Sequence, residues 1–309
     1  MGQALEPGDR KLSALVQTAA PFAASGAKAR KERSPVLGAV GPACLYVVIL
    51  LVLPFIYLVY LSLQEGGHGA DQTAALSLAN YVEIFTSRIY LESLWGTLQL
   101  GVAVTALTLL IGYPVAYYIA QSGSRFAMFT MAVIILPLFV SVVVRSFGWM
   151  ILLGRQGNVN RMLMGLGFTD KPLQLLYTPG AVTVGLVHIL APLMILPIAS
   201  VLRGLDPALR EAASSLGASR AKVFWTVTLP LSLPGVAAGC VLVLAHVIAA
   251  FVLPALIGSD RVKLMATMIY QQVMTANNLP LGAALAVVMV VATFALLALA
   301  GFIARRHRV

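Results

Sequence analysis

Five stretches of this chain, 34–64, 93–124, 172–202, 223–259 and 264–304, contain no Asp, Glu, Lys or Arg. Each exceeds the roughly 20 apolar residues that a helix needs to cross the hydrocarbon core of a bilayer. A sixth stretch, 126–153, is interrupted only by Arg145. Inside lipid the backbone must satisfy its own hydrogen bonds, which leaves helices and closed barrels. Barrel strands are too short for runs of this length. The expectation is an all-α integral membrane protein with six transmembrane helices, at Gly38–Leu63, Leu94–Ala120, Phe126–Leu153, Pro179–Leu202, Pro234–Ile257 and Leu281–Ile303. The composition agrees, with 60% hydrophobic and 10% charged residues. A soluble domain carries about a quarter charged residues, so soluble globular and disordered classes are excluded. Cys44 and Cys240 both lie inside apolar runs, which argues against a disulfide framework or a thiolate metal site.

The net charge of +10 records topology. Segments 1–37, 121–125, 203–233 and 304–309 together hold 14 of the 21 Lys and Arg residues. The opposite side holds Arg88, Arg155, Arg161, Lys171, Arg261 and Lys263. The excess of basic residues on one side places both termini in the cytoplasm. The charge then faces anionic lipid, and no nucleic-acid partner is implied. The chain divides into a basic cytoplasmic tail, 1–37, a membrane domain, 38–303, and a short basic C-terminus, 304–309. The tail lacks the short apolar core of a signal peptide and reads as solvated. Leu12–Phe22 can alternatively lie on the membrane surface as a weak amphipathic helix.

The cytoplasmic loop 203–233 carries the most specific pattern. Asp206 followed by Pro207 is a helix start, an N-cap with proline at the first helical position. Gly217 suits a helix end in the left-handed conformation. Ser219 can cap a second short helix carrying Val223, Phe224 and Trp225, and Pro230 and Pro234 are expected to break the chain before span five. Two short helices at a sharp angle result. From the residues alone, docking of a partner and lying on lipid are equal readings of this loop.

The spacing Glu211-Ala212-Ala213, Gly217, Val227, Leu229-Pro230 resembles the signature loop of ABC importer permeases, with Val227 where Ile is usual. Along residues 43 to 303, Asn80-Tyr81, Gly112–Tyr117, Val144–Trp149, Gly154–Asn160 and Leu279–Ala284 resemble the branch that includes spermidine, putrescine and opine permeases. The resemblance implies the type I importer permease fold in a bacterial inner membrane. It also implies that Glu211, Ala212, Ala213, Gly217, Leu229 and Pro230 form a coupling helix seated in a groove of an ATPase subunit. The implied partners are a second permease, two ATPase subunits and an external solute-binding protein. The chain has no Gly-x-x-x-x-Gly-Lys-Ser/Thr run, so ATP and Mg belong to the ATPase partner and this chain is neither an enzyme nor a cofactor binder. No hydrolase or zinc-protease motif occurs. His68, His188, His246 and His307 are too scattered to propose a metal site.

Arg145 is the only formal charge within the expected spans. It can hold a backbone carbonyl or a solute carboxylate in the translocation path, or anchor its helix with its head near Trp149. His188 and His246 can line the path or join helices. Tyr113, Tyr117 and Tyr118 can stack on a cationic solute or belong to an interfacial belt. Pro114, Pro137, Pro192, Pro197 and Pro254 can kink their helices. Where polyamine relatives often place an acid before Phe-Val in span five, this chain has Ala250 before Phe251. The solute is therefore a small polar or charged molecule, polyamine-like or carboxylate-bearing like an opine or amino-acid derivative. A secondary transporter or channel working without ATP is the rival reading. It calls for ionisable residues in the spans, and only Arg145 is there. A membrane-embedded enzyme calls for His, Asp or Glu clustered near one face, which the sequence lacks, and against a pure scaffold stands the spacing of the 203–233 loop.

Overall fold

The computed structural model describes residues 35–64 and 76–306. The expected tail falls outside them up to residue 34, as do His68 and His307. By compactness the chain divides between Ile56 and Tyr57. The first unit holds the upstream turns of α1 (Pro35–Ser62), which is long and apolar enough to cross a membrane over Cys44–Ser62. All other elements belong to the second unit.

Among the described residues the chain is helical, with only an isolated bridge between Gln64 and Leu76. The short α2 (Ala79–Thr86) is fastened to the end of α1 by its own side chains. Asn80 Nδ2 donates to the carbonyls of Ser62 and Gln64 at 3.0 and 2.7 Å, and the Tyr81 and Ser62 hydroxyls meet at 2.7 Å. Long apolar helices follow at α3 (Arg88–Gln121), α7 (Pro179–Arg203), α9 (Arg220–Ala249) and α11 (Leu279–Arg306). Three threonines within α3 bond back to their own helix. Thr97, Thr105 and Thr108 donate to carbonyls four residues earlier at 2.6–2.7 Å, so they bring no unsatisfied group into the bilayer.

The core lies where α3, α7 and α9 pack side by side, around Val104, Met194, Ile198 and Val243. Lipid tails are as apolar as leucine, so close backbone approach and packing hold such helices together. Two glycines of α9 show how close the approach is. A Cβ at Gly235 would sit 2.9 Å from the Pro197 carbonyl oxygen, and one at Gly239 would sit 2.7 Å from Met194 Sδ. A second cluster, with Ile84, Tyr90, Met265, Leu281 and Leu285, joins α2 and the start of α3 to α10 (Met265–Tyr270) and α11.

The structure departs from the sequence expectations in three places. The third span, expected as one helix over Phe126–Leu153 that Pro137 can kink, is broken. The segment formed by α4 (Arg125–Ile135) and the tight turn Leu136–Phe139 meets Val142–Gly165 at 104°. Within the latter lie α5 (Val142–Leu153) and α6 (Asn158–Gly165). Pro137 sits in the turn, where its ring and missing N–H interrupt the helix. Ser141 restarts it, accepting from Val143 N at 3.3 Å. Next, Pro230 and Pro234 do not break the chain, and the second short helix of the loop is the first turn of α9. A five-residue π-turn, Phe224–Thr228, precedes Pro230, and Leu229 N–H donates to Phe224 O. Pro230 cannot donate to the Thr226 carbonyl, so the wider turn absorbs the lost bond. Finally, the fifth span ends at Ala249 and not at Ile257. Beyond it the chain runs on along α7 through a π-turn at Pro254–Gly258, with Leu253 against Gly185 and the Ile257 carbonyl accepting from Tyr177 N–H at 3.0 Å, and Leu253 and Ile257 are buried in protein. Such irregular backbone at membrane depth is tolerated where protein covers it.

Candidate functional site

The motif segment follows from its caps. Arg203 closes α7, and its guanidinium reaches Ile119 O and Met131 Sδ, both at 3.5 Å. Asp206 then starts α8 (Pro207–Ser215), its carboxylate accepting from Ala208 N at 2.9 Å with Pro207 at the first helical position. Gly217, at φ +82°, ends the helix. Its N–H donates to Ser214 O at 3.0 Å, and Ala218 N–H donates to Ala213 O at 3.1 Å. This paired closure by a left-handed glycine satisfies the last carbonyls. Ser219 caps α9, accepting from Lys222 N at 3.4 Å.

No side chain of α8 is buried. Glu211 and Ala212 are exposed and Ala213 is half-buried. Leu216, just past the helix, is 89% exposed, and Trp225 on α9 is 65% exposed. A short capped helix with an exposed acid, two alanines and a neighbouring bare leucine is shaped to be covered by another surface. The remaining motif residues sit on α9, where Leu229 is half-buried and Pro230 exposed. Behind α8 opens a cleft of about 830 Å³, lined among others by Arg210, Glu211, Arg220, Phe224, Tyr117 and Gln121.

Tyr113 and Tyr117 stand at this end of the bundle. Both meet Phe224 edge to face, with centroids at 5.8 and 5.5 Å and interplanar angles of 85°. The Tyr113 hydroxyl lies 2.9 Å from Ser232 Oγ, which donates to Leu229 O at 2.8 Å. Ser232 has spent its proton, so the tyrosine is the donor.

Three other candidates gather elsewhere. Arg145 and Trp149 lie one turn apart on α5. Trp149 packs edge to face on His188 of α7 at 5.6 Å. Arg145 Nε and Nη1 are buried with no hydrogen-bond partner among the described residues. His246 is exposed, its Nδ1 2.8 Å from the Leu242 carbonyl of its own helix. Phe251 stacks at 4.6 Å on Tyr270 beside a cavity of about 270 Å³ that Lys263 and Gln271 also line. Sequence reasoning missed Tyr270, Lys263 and Gln271 as neighbours of Phe251, and the primary structure carries no signal that pairs them. It named Phe224 only as a residue of a short helix. The two tyrosines at helical spacing were the available clue to its partners.

Together these features define a helical membrane protein with a short, capped helix left unburied at one end of its bundle. Residues 108–309 match the family of inner membrane components of binding-protein-dependent transport systems. The spermidine/putrescine transport system permease protein PotB of Haemophilus influenzae is 31% identical over 242 residues, covering 78% of this chain and 84% of that protein. The Escherichia coli PotB is 30% identical over 246 residues, covering 80% and 89%. The fold is that of a chain in the crystal structure of a bacterial ABC transporter that imports the acidic polysaccharide alginate. That likeness has a TM-score of 0.70 at 19% identity, covering 97% of this chain and 100% of the other. The chain belongs to the inner membrane permeases of binding-protein-dependent ABC importers.

Proposed function

We propose that this chain forms half of the translocation path of an ATP-driven importer, beside a second and different permease. The termini and α8 face the cytoplasm. An ATPase dimer, holding the ATP and Mg, receives α8 of this chain and its counterpart on the other permease, and a solute-binding protein delivers the cargo from outside. Glu211, Ala212, Ala213 and Gly217 form the docking surface, with Leu229 and Pro230 shaping its root on α9. The observation that carries this reading is α8 itself, capped at both ends and with no side chain buried in its own bundle. ATP binding closes the ATPase dimer, α8 moves with it, and the helices reorient from inward- to outward-facing. ATP biases the two states only by binding them unequally.

The solute is a small polar or charged molecule of the polyamine, opine or amino-acid-derivative kind. The PotB relatives support a polyamine, and the free Arg145 nitrogens support a carboxylate. The deciding experiment co-expresses the chain with its genomic neighbours, purifies the complex in mild detergent and measures ATP hydrolysis with binding protein and candidate solutes. A co-purified P-loop ATPase, stimulated by one loaded binding protein, is the expected result. Transport by the chain alone without ATP would replace this reading with a secondary transporter. Glu211→Lys is expected to leave the complex inserted while uptake driven by ATP falls at least tenfold. Unchanged uptake would remove the coupling role of α8.

A further inference from the structure

α8 buries no side chain and packs on the foot of α9, including its π-turn, so a displacement it receives enters through that contact and its two roots. One root is the Gly204–Asp206 turn from α7, and the other is the Gly217–Ser219 turn into α9. The α9 root is mechanically weak by itself. Its fifth residue, Phe224, opens the π-turn, and the hydrogen bond from Leu229 spans five residues there. Pro230 contributes no N–H to the next turn. A helix interrupted in this way bends under load, and a push on α8 would be lost in that bend.

α3 prevents the loss. Tyr113 and Tyr117 are one turn apart on α3 and share a face. Their rings hold Phe224 edge to face from both positions, at 5.8 and 5.5 Å. Tyr113 also donates to Ser232 Oγ, past the far end of the π-turn. The same tyrosine therefore touches α9 on both sides of its weak point. Val223 and Thr228, flanking and closing the turn, are buried.

We propose that Tyr113, Tyr117 and Phe224 form a splint that carries the motion of α8 across the π-turn into α3 and the body of α9. They are positioning residues for coupling. The proposal rests on α8 being the coupling helix.

The test uses the assembled complex in proteoliposomes and reads solute imported per ATP hydrolysed. Phe224→Ala is expected to assemble at wild-type stoichiometry and to keep ATP hydrolysis within about twofold. Solute per ATP should fall at least fivefold. Phe224→Tyr keeps the ring and should restore the ratio to within about twofold, a rescue that loss of packing alone would not single out. Tyr117→Leu keeps apolar bulk without a ring, and about a threefold fall is expected. An unchanged ratio in Phe224→Ala overturns the splint. If that variant fails to assemble, an unchanged ratio in Tyr117→Leu overturns it instead. Glu211→Lys separates the two readings. If it uncouples while the aromatic variants do not, the splint alone is wrong. If it leaves uptake intact, the coupling role of α8 falls and the splint with it.

Discussion

Asn160 is fully buried and uses its amide three times. Nδ2 donates to Gly154 O and Leu173 O at 3.0 and 2.9 Å, and Oδ1 accepts from Leu173 N at 2.9 Å. One side chain thereby closes the loop between α5 and α7. Gly157, three residues earlier, has no room for a Cβ, which would lie 2.4 Å from Leu152 O. These residues belong to the Gly154–Asn160 stretch on which the resemblance to the polyamine and opine branch partly rested. The pattern was legible in the sequence, but its purpose was not. A polar residue in a loop looks solvated until the fold shows which carbonyls enclose it. Asn80, in another of those patterns, has the same purpose at the end of α1. Asn160→Ala leaves three part-buried backbone groups without their partner, at no more than about 1–3 kcal/mol each and less where water reaches them. A drop of several degrees in the unfolding temperature of the purified complex is expected, with ATP hydrolysis per assembled complex unchanged. An unaltered midpoint would mean that water replaces the amide.

At the scale of elements, hydropathy located the spans because charge is excluded from lipid, and it failed where helix ends are set by other forces. Nothing in Leu136–Ser141 announces a 104° break except Pro137, and prolines at 114, 192, 197 and 234 sit inside continuous helices. Phe251–Ile257 is apolar enough to prolong a regular span, yet the helix gives way there to a π-turn packed on α7. The caps of α8 were readable because Asp, Pro and Gly each answer a local backbone requirement. Gly217 tests this. Its φ of +82° disfavours any Cβ, and nothing lies within 4 Å of one, so the cost of substitution is conformational. Gly217→Ala should cost about 1 kcal/mol and lower uptake per ATP. Gly217→Asn should recover most of it, because asparagine tolerates the left-handed region. Equal defects in both would point to side-chain exclusion by the ATPase.

For the whole molecule, fold and family follow from the apolar runs and the loop spacing, whereas the solute does not. Trp149 and His188 meet through the α5–α7 contact, with Arg145 one turn from Trp149 on α5, and no local pattern encodes that contact. Phe251 sits apart from them with Tyr270, so the candidate path residues fall into separate groups. Arg145→Ala tests the first group. At normal membrane abundance, uptake of a carboxylate-bearing solute is expected to fall at least tenfold and that of a polyamine less. Normal uptake at normal abundance would show Arg145 to be dispensable both as a path residue and as an anchor.

The bareness of α8 has an evolutionary consequence. Core positions are constrained from every side, because a change in one side chain disturbs its neighbours. No side chain of α8 is buried in its own bundle, and the helix keeps its shape through caps at either end. If α8 is the coupling helix proposed above, its exposed surface is free to drift toward a different ATPase with little disturbance to the packing of the membrane helices. Permeases built on this plan can exchange motors while the conduit for the solute stays as it was.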